Sequence, residues 1–205
     1  MILNKDNKSG FIWIPKSAGH SISDILLKNG YSFWYEPGTT RHIHAQPLHA
    51  YHHYFKDHFI FCIVRNPWDR MLSLYSYLIQ KQKTLSDDVV NFNEDDWTNG
   101  FNHWLLNCNT QFKIDSKYKN MSMQKRQQVE YFQDIDGNTL VDYIGKIENI
   151  NHDFKVIADR LNIPDELQVL NTSIHKHYRD VYTQESRDFV AKHHSDDIET
   201  FGYLY

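Results

Sequence analysis

The stretch Phe11-Ile-Trp-Ile-Pro-Lys-Ser-Ala-Gly-His-Ser-Ile22 constrains this chain most. Its apolar run Phe11–Ile14, preceded by Gly10, reads as a buried strand. The strand ends at Pro15, passes Lys16-Ser17-Ala18-Gly19 and enters a segment in which Ile22, Ile25 and Leu26 recur at helical spacing. Strand, lysine/serine/glycine turn and helix in that order build an anion cradle. Backbone N–H groups at a helix start, the positive end of the helix dipole and one lysine converge on a phosphate. A second stretch, Phe61-Cys-Ile-Val-Arg-Asn-Pro-Trp-Asp-Arg70, repeats the logic with Arg65. Two anion sites on one fold imply a ligand with two separated phosphate-like groups.

The rest of the chain supplies the frame for these turns. Phe59–Val64 is six residues of unbroken apolar character, the pattern of a parallel strand covered on both faces. Asn66-Pro67-Trp68-Asp69 is a helix start, with Asn as cap, Pro at the first position and Asp at the third. Met71, Leu72, Leu74, Tyr75, Leu78 and Ile79 then form a wide apolar stripe. Asn29-Gly30 stops the first helix. Tyr31–Tyr35 and Leu140–Ile144 read as strands, and Ala45–Phe55 as a helix. Residues 83–100 read as a loop overlapping a helix over Trp97–Leu106. Phe154, Ile157, Ala158 and Leu161 mark a helix ended before Pro164, and Thr183–His194 is the last long helix. Alternation of strands and helices predicts an α/β domain spanning 1–205, with a mostly parallel sheet and helices on both faces.

Composition removes some functions. At 205 residues the chain is long enough for one well-buried core. A formal net charge of −4 argues against a general nucleic-acid binder. No run reaches the roughly 20 apolar residues needed to span a bilayer, and residues 1–10 lack the apolar core of a signal peptide. These features predict a cytoplasmic protein, in which Cys62 and Cys108 are free thiols.

The turn around Lys16 is not the usual P-loop. That motif, Gly-x-x-x-x-Gly-Lys-[Ser/Thr], ends on its lysine, whereas here lysine leads and glycine follows. The second strand ends in Arg65 rather than in the acidic residue that holds Mg²⁺ in ATPases and GTPases. Arginine at a strand end grips an anion through its planar fork. Ser73 shares a helix face with Asn66 and Asp69, about 9 Å along the axis from Pro67, so Arg65 and Ser73 can hold one phosphate together. Each motif alone also fits a plainer reading: an exposed lysine on a connecting turn, or a surface arginine paired with Asp69.

Taken together, the motifs resemble a family. Ile14-Pro-Lys-Ser-Ala-Gly19 resembles the 5′-phosphosulfate loop of sulfotransferases that use 3′-phosphoadenosine 5′-phosphosulfate (PAPS). Val64-Arg-Asn-Pro-Trp-Asp-Arg-Met-Leu-Ser-Leu-Tyr75 resembles their 3′-phosphate motif. More weakly, Val141–Ile150 and Asp197–Tyr203 resemble later family segments. The nearest likeness is to carbohydrate sulfotransferases acting on glycosaminoglycan-type sugars. The resemblance implies a P-loop-type three-layer fold and a metal-independent enzyme that moves a sulfuryl group from PAPS to a carbohydrate hydroxyl. It places Lys16 at the phosphosulfate bridge, with Ser17, Ala18, Gly19, His20 and Ser21 supplying N–H or hydroxyl contacts. Arg65 and Ser73 would bind the 3′-phosphate, and Asn171–His177 would close over the nucleotide. His20 departs from the family, which commonly has Thr or Ser there.

An attacking hydroxyl needs a base, and histidine suits the task. The resemblance points to His44 in His42-Ile43-His44, with His42 as second choice or helper. The chain holds 13 histidines. His49, His52 and His53, at i, i+3 and i+4, would share a helix face, but no cysteine or carboxylate partner is evident and no metal is expected. Trp13, Trp34, Tyr35 and Trp104 are candidates for stacking on sugar. Two other classes stay open: a P-loop kinase or other phosphoryl transferase, and a non-catalytic nucleotide-binding module.

Overall fold

In the computed structural model, Phe59–Val64 is the strand its apolar run predicts, and it is parallel to both of its neighbours. The structure describes residues 1–34, 48–80, 97–108, 122–168, 170 and 176–205. These residues divide into two compact units, Met1–Arg65 with Gln128–Asn171 and Asn66–Gln127 with Thr172–Tyr205.

The first unit holds a five-stranded sheet in the order β3-β1-β2-β4-β5. The strands are β1 (Ile2–Asn4), β2 (Ser9–Ile12), β3 (Ser32–Phe33), β4 (Phe59–Val64) and β5 (Tyr143–Lys146). β2, β4 and β5 are parallel, in the register Phe11 to Phe61 and Phe61 to Tyr143. β1 runs antiparallel to β2 and β3, so the sheet is mixed. Of the antiparallel part, β3 falls within the strand expected over Tyr31–Tyr35, of which Tyr35 lies outside the described residues, while β1 was not legible, because three residues carry too little alternation to read. β5 also starts three residues later than expected. Leu140 donates its N–H to the Phe132 carbonyl at 2.9 Å, and Asp142 clamps Ile60, giving its N–H to the carbonyl and taking the Ile60 N–H on Oδ2, each at 2.7 Å.

The helices of this unit are α1 (Gly19–Lys28) and α4 (Ile150–Leu161). α1 buries Ile22, Ile25 and Leu26, and α4 buries Phe154, Ile157, Ala158 and Leu161. Both faces meet Ile2, Phe11, Phe61 and Ile63 in one core. Burying each large side chain there contributes about 1.5–3 kcal/mol. Ile60, Cys62 and Val64, alternating with the core-facing residues, are buried as well, as an apolar run without alternation requires. α1 ends at Asn29, before Gly30 at φ 84°; α4 ends at Asn162, at φ 55°.

The second unit is helical: α2 (Pro67–Gln80), α3 (Trp97–Asn107), α5 (Gln184–His193) and α6 (Ser195–Phe201). Asn66 Oδ1 accepts the Trp68 N–H at 3.0 Å, the cap that its sequence predicts. The α2 stripe is buried at Met71, Leu72, Leu74, Tyr75 and Leu78, and Tyr75 packs on Phe101 and Trp104 of α3 at ring distances of 5.5 and 5.3 Å. Beyond the expected last helix the chain turns at His194 and starts α6. His194 is fully buried and its Nε2 meets the Gln124 carbonyl at 2.8 Å, which fixes the bend. Among the described residues no helix is long and apolar enough to cross a membrane, and both cysteines are free thiols.

Candidate functional site

The lysine turn lies between β2 and α1. Lys16 sits at φ 72° and Ala18 at φ 56°, on either side of Ser17, which is not at positive φ. Residues at positive φ beside a helix start are the kind of backbone from which anion-binding nests are built. Two non-glycine residues at positive φ cost on the order of 1 kcal/mol each or more. Ala18 is the N-cap of α1, no side chain caps the helix, and its first turn holds no acidic residue. The Ile22 N–H is the one that returns to the Ala18 carbonyl, at 3.1 Å. The N–H groups ahead of it lie at the positive end of the helix dipole.

Gly19 serves the close approach of an indole. A Cβ built there would lie 2.2 Å from Trp13 Nε1 and 2.5 Å from its Cε2. Trp13 also meets the His20 ring edge-on at 4.9 Å. Trp13 is therefore a wall of the turn. Ser21 turns its hydroxyl to the Leu170 N–H at 3.1 Å, and Ser23 donates to the His20 carbonyl at 3.0 Å.

The two anion motifs meet through the parallel pairing of β2 and β4. Arg65 follows the last residue of β4, and its Nη1 donates to the Lys16 carbonyl at 3.2 Å. One of the five donors of its guanidinium is thereby fixed on the turn. Burial, and then the charge of Arg65, push the Lys16 ammonium down from 10.5 to about 8. Two cations held together and partly desolvated form an arrangement that an anion stabilises.

Gln128, which the sequence reading missed, ties these motifs from a third side. It is fully buried. Its Oε1 accepts the Arg65 N–H at 2.9 Å and the Ser17 hydroxyl at 3.4 Å, while its Nε2 donates to the Arg65 carbonyl at 2.8 Å. Nothing local marks it among Gln124-Lys-Arg-Gln-Gln128, apart from the apolar Val129, Tyr131 and Phe132 that follow.

Ser73 is buried on α2. His42, His44 and Tyr35 lie outside the described residues, as do residues 171–175 of the expected closing loop. His177 of that loop accepts the Arg179 N–H at 3.3 Å and starts a single 3-10 turn. The described part of the expected helix over Ala45–Phe55 is two separate 3-10 turns, Leu48–Ala50 and His52–Tyr54, divided at Tyr51 with φ −130° and ψ −2°. His49 and His52–His53 thus sit on different turns rather than on one helix face. The cause is aromatic packing, which overrides a helical repeat: Tyr51, Tyr54 and Phe55 gather around Trp34 at ring distances of 5.4, 5.9 and 4.9 Å. Trp104 is core.

Known proteins resemble this arrangement in sequence. An uncharacterized protein of Archaeoglobus fulgidus is 25% identical over 128 residues, which covers 62% of this chain and 88% of that protein. The family model described as the sulfotransferase family matches residues 1–204, nearly the whole chain. With a mixed α/β sheet whose parallel strands carry a lysine turn and an arginine tip side by side, this chain belongs to the sulfotransferase family, whose chemistry is sulfuryl transfer.

Proposed function

We propose that this chain transfers the sulfuryl group of PAPS to a carbohydrate hydroxyl, and that residues 1–205 act as one catalytic domain. The observation that carries the reading is the Arg65 guanidinium on the Lys16 carbonyl at 3.2 Å, with both cations beside an uncapped helix start. A donor with a phosphosulfate at one end and a 3′-phosphate at the other needs positive groups of this kind, already in place before it binds.

In this reading the lysine turn (Lys16, Ser17, Ala18, Gly19, His20 and Ser21) receives the phosphosulfate. Arg65 binds the 3′-phosphate, and Ser73 shares that role on the strength of its motif. His44, with His42 as helper or substitute, takes the proton of the acceptor hydroxyl. The hydroxyl oxygen attacks sulfur as the bond from sulfur to the bridging phosphate oxygen breaks. The products are a sulfate ester and adenosine 3′,5′-bisphosphate, and the charge that grows on the departing phosphate falls on Lys16 and the backbone N–H groups of the turn. Fixed positive groups meet that charge, so the proposal includes no metal.

The test is transfer from labelled PAPS to a panel of glycans, peptides and small hydroxyl compounds. The proposal expects sulfated glycan, with no requirement for Mg²⁺ or ATP. A peptide as the preferred acceptor overturns the carbohydrate assignment, and nucleotide binding without transfer to any acceptor overturns catalysis. His44→Ala is expected to stop transfer while adenosine 3′,5′-bisphosphate still binds. If it transfers at the wild-type rate, the base lies elsewhere, and His42→Ala is the next variant.

A further inference from the structure

We infer that Gln128 is a positioning residue that sets the spacing between the two phosphate grips. The inference rests on the reading of Lys16 and Arg65 as two ends of one nucleotide site. Gln128 touches the tip of β4 twice and the lysine turn once: Arg65 N–H and Ser17 hydroxyl on Oε1, Arg65 carbonyl on Nε2. A primary amide satisfies this set in its one ordinary protonation state, because it accepts on one atom and donates on the other. A carboxylate there would accept the Arg65 N–H but leave the Arg65 carbonyl without its donor, and it would bring negative charge to an anion site. Just past the end of β4, Gln128 supplies a hydrogen-bond partner to both the N–H and the carbonyl of Arg65.

Gln128 is itself held firmly. It precedes a 3-10 turn, Val129–Tyr131, and the Tyr131 N–H returns to the Gln128 carbonyl at 3.1 Å. Val129, Tyr131 and Phe132 are buried. Phe132 takes the Leu140 N–H, and a bridge between Gln133 and Thr139 closes the loop that leads into β5. β5 in turn pairs with β4. The amide is thus fastened to the sheet through a route independent of the Lys16 turn, as a group that fixes a distance must be. Burial of this hydrogen-bonded amide also keeps water from competing for the Arg65 backbone.

The experiment compares two ligands on the full chain. Adenosine 3′,5′-bisphosphate engages both grips, whereas adenosine 5′-phosphate engages one. The readout is the ratio of their dissociation constants in wild type, Gln128→Met and Gln128→Glu. Methionine keeps the volume and removes the hydrogen bonds; glutamate keeps one acceptor and loses the donor. Wild type is expected to prefer the bisphosphate, and in Gln128→Met that preference falls by about tenfold, the worth of one to two hydrogen bonds. In Gln128→Glu the preference falls as well, and both ligands weaken. A purely structural role weakens both ligands alike in Gln128→Met and leaves the ratio unchanged, which overturns the inference while the nucleotide reading stands. A wild type that binds both ligands equally overturns the nucleotide reading itself, and this role with it. If Gln128→Met does not fold, an unchanged ratio in Gln128→Glu overturns the inference equally.

Discussion

Two helices of this chain begin in opposite ways. α5 begins with a full capping box: Thr183 Oγ1 accepts the Ser186 N–H at 3.3 Å, Ser186 Oγ accepts the Thr183 N–H at 3.0 Å, and Glu185 stands in the first turn. Asn102 Oδ1 accepts the Ser186 hydroxyl and, at 3.2 Å, the Thr183 N–H. α1 begins with a left-handed alanine, no side-chain cap and no acid, and a lysine two residues ahead adds positive charge where the helix dipole is already positive. The start of α5 is complete in itself. In the proposed reading the start of α1 is complementary to an anion, and its local rules are broken where binding needs them broken.

The sharpest way to break this contrast is Lys16→Ala. Loss of one preorganised charge at the departing group is expected to cost about 10²–10³ in turnover, measured with labelled PAPS. A loss of less than tenfold would make the turn a mere connection. Next, Arg65→Ala is expected to weaken adenosine 3′,5′-bisphosphate by about tenfold or more, given roughly 1.5–3 kcal/mol for a hydrogen bond to a charged group. Calorimetry checks this, and unchanged affinity removes Arg65 from the site.

The pH dependence follows from the Lys16 ammonium, pushed down from 10.5 to about 8. Between those values the unfolded chain binds the proton and the folded chain does not, so this group makes stability rise with pH from about 8 to 10.5. A bound anion favours the ammonium, so bisphosphate affinity runs the other way and falls above pH 8, by up to about tenfold per pH unit. Titration calorimetry in two buffers of different ionisation heat is expected to show proton uptake on binding at pH 9. No uptake there would dissociate Lys16 from the ligand.

Smaller effects sharpen the contrast from the α5 side. Thr183→Ala is expected to destabilise the fold by about 1 kcal/mol in denaturant titration, with bisphosphate affinity unchanged. Ala18→Gly is expected to stabilise by roughly 0.5 kcal/mol, because relief of the left-handed alanine, about 1 kcal/mol, is partly offset by the greater freedom of glycine in the unfolded chain. A destabilised Ala18→Gly would show that the packing of the methyl against the core outweighs the strain of its conformation.

The legible parts of this protein are those with local causes. Phe59–Val64 reads as a doubly covered strand because its burial is written in its own composition, and Asn66-Pro67 announces a helix because a cap and a first-turn proline act within four residues. Lys16 and Arg65 stand at strand ends, where chain order alone places them on the same edge of a parallel sheet. The short β1 stayed hidden because Ile2–Asn4 is a strand only by virtue of its partners. The expected helix over Ala45–Phe55 misled because aromatic residues at near-helical spacing pack equally well around a tryptophan, as Tyr51, Tyr54 and Phe55 do around Trp34.

By itself the sequence determined the residue types of the proposed anion site, the strand and helix that carry them, and the family to which they belong. Periodicity, capping and turn chemistry are short-range, and they survive being read one residue after another. Tertiary structure alone decided that the guanidinium of Arg65 rests on the carbonyl of Lys16, 49 positions earlier, and that the amide of Gln128, 63 positions later, holds the strand tip. A hydrogen bond between distant residues depends on the register of the sheet to within an ångström, and no local pattern encodes a register.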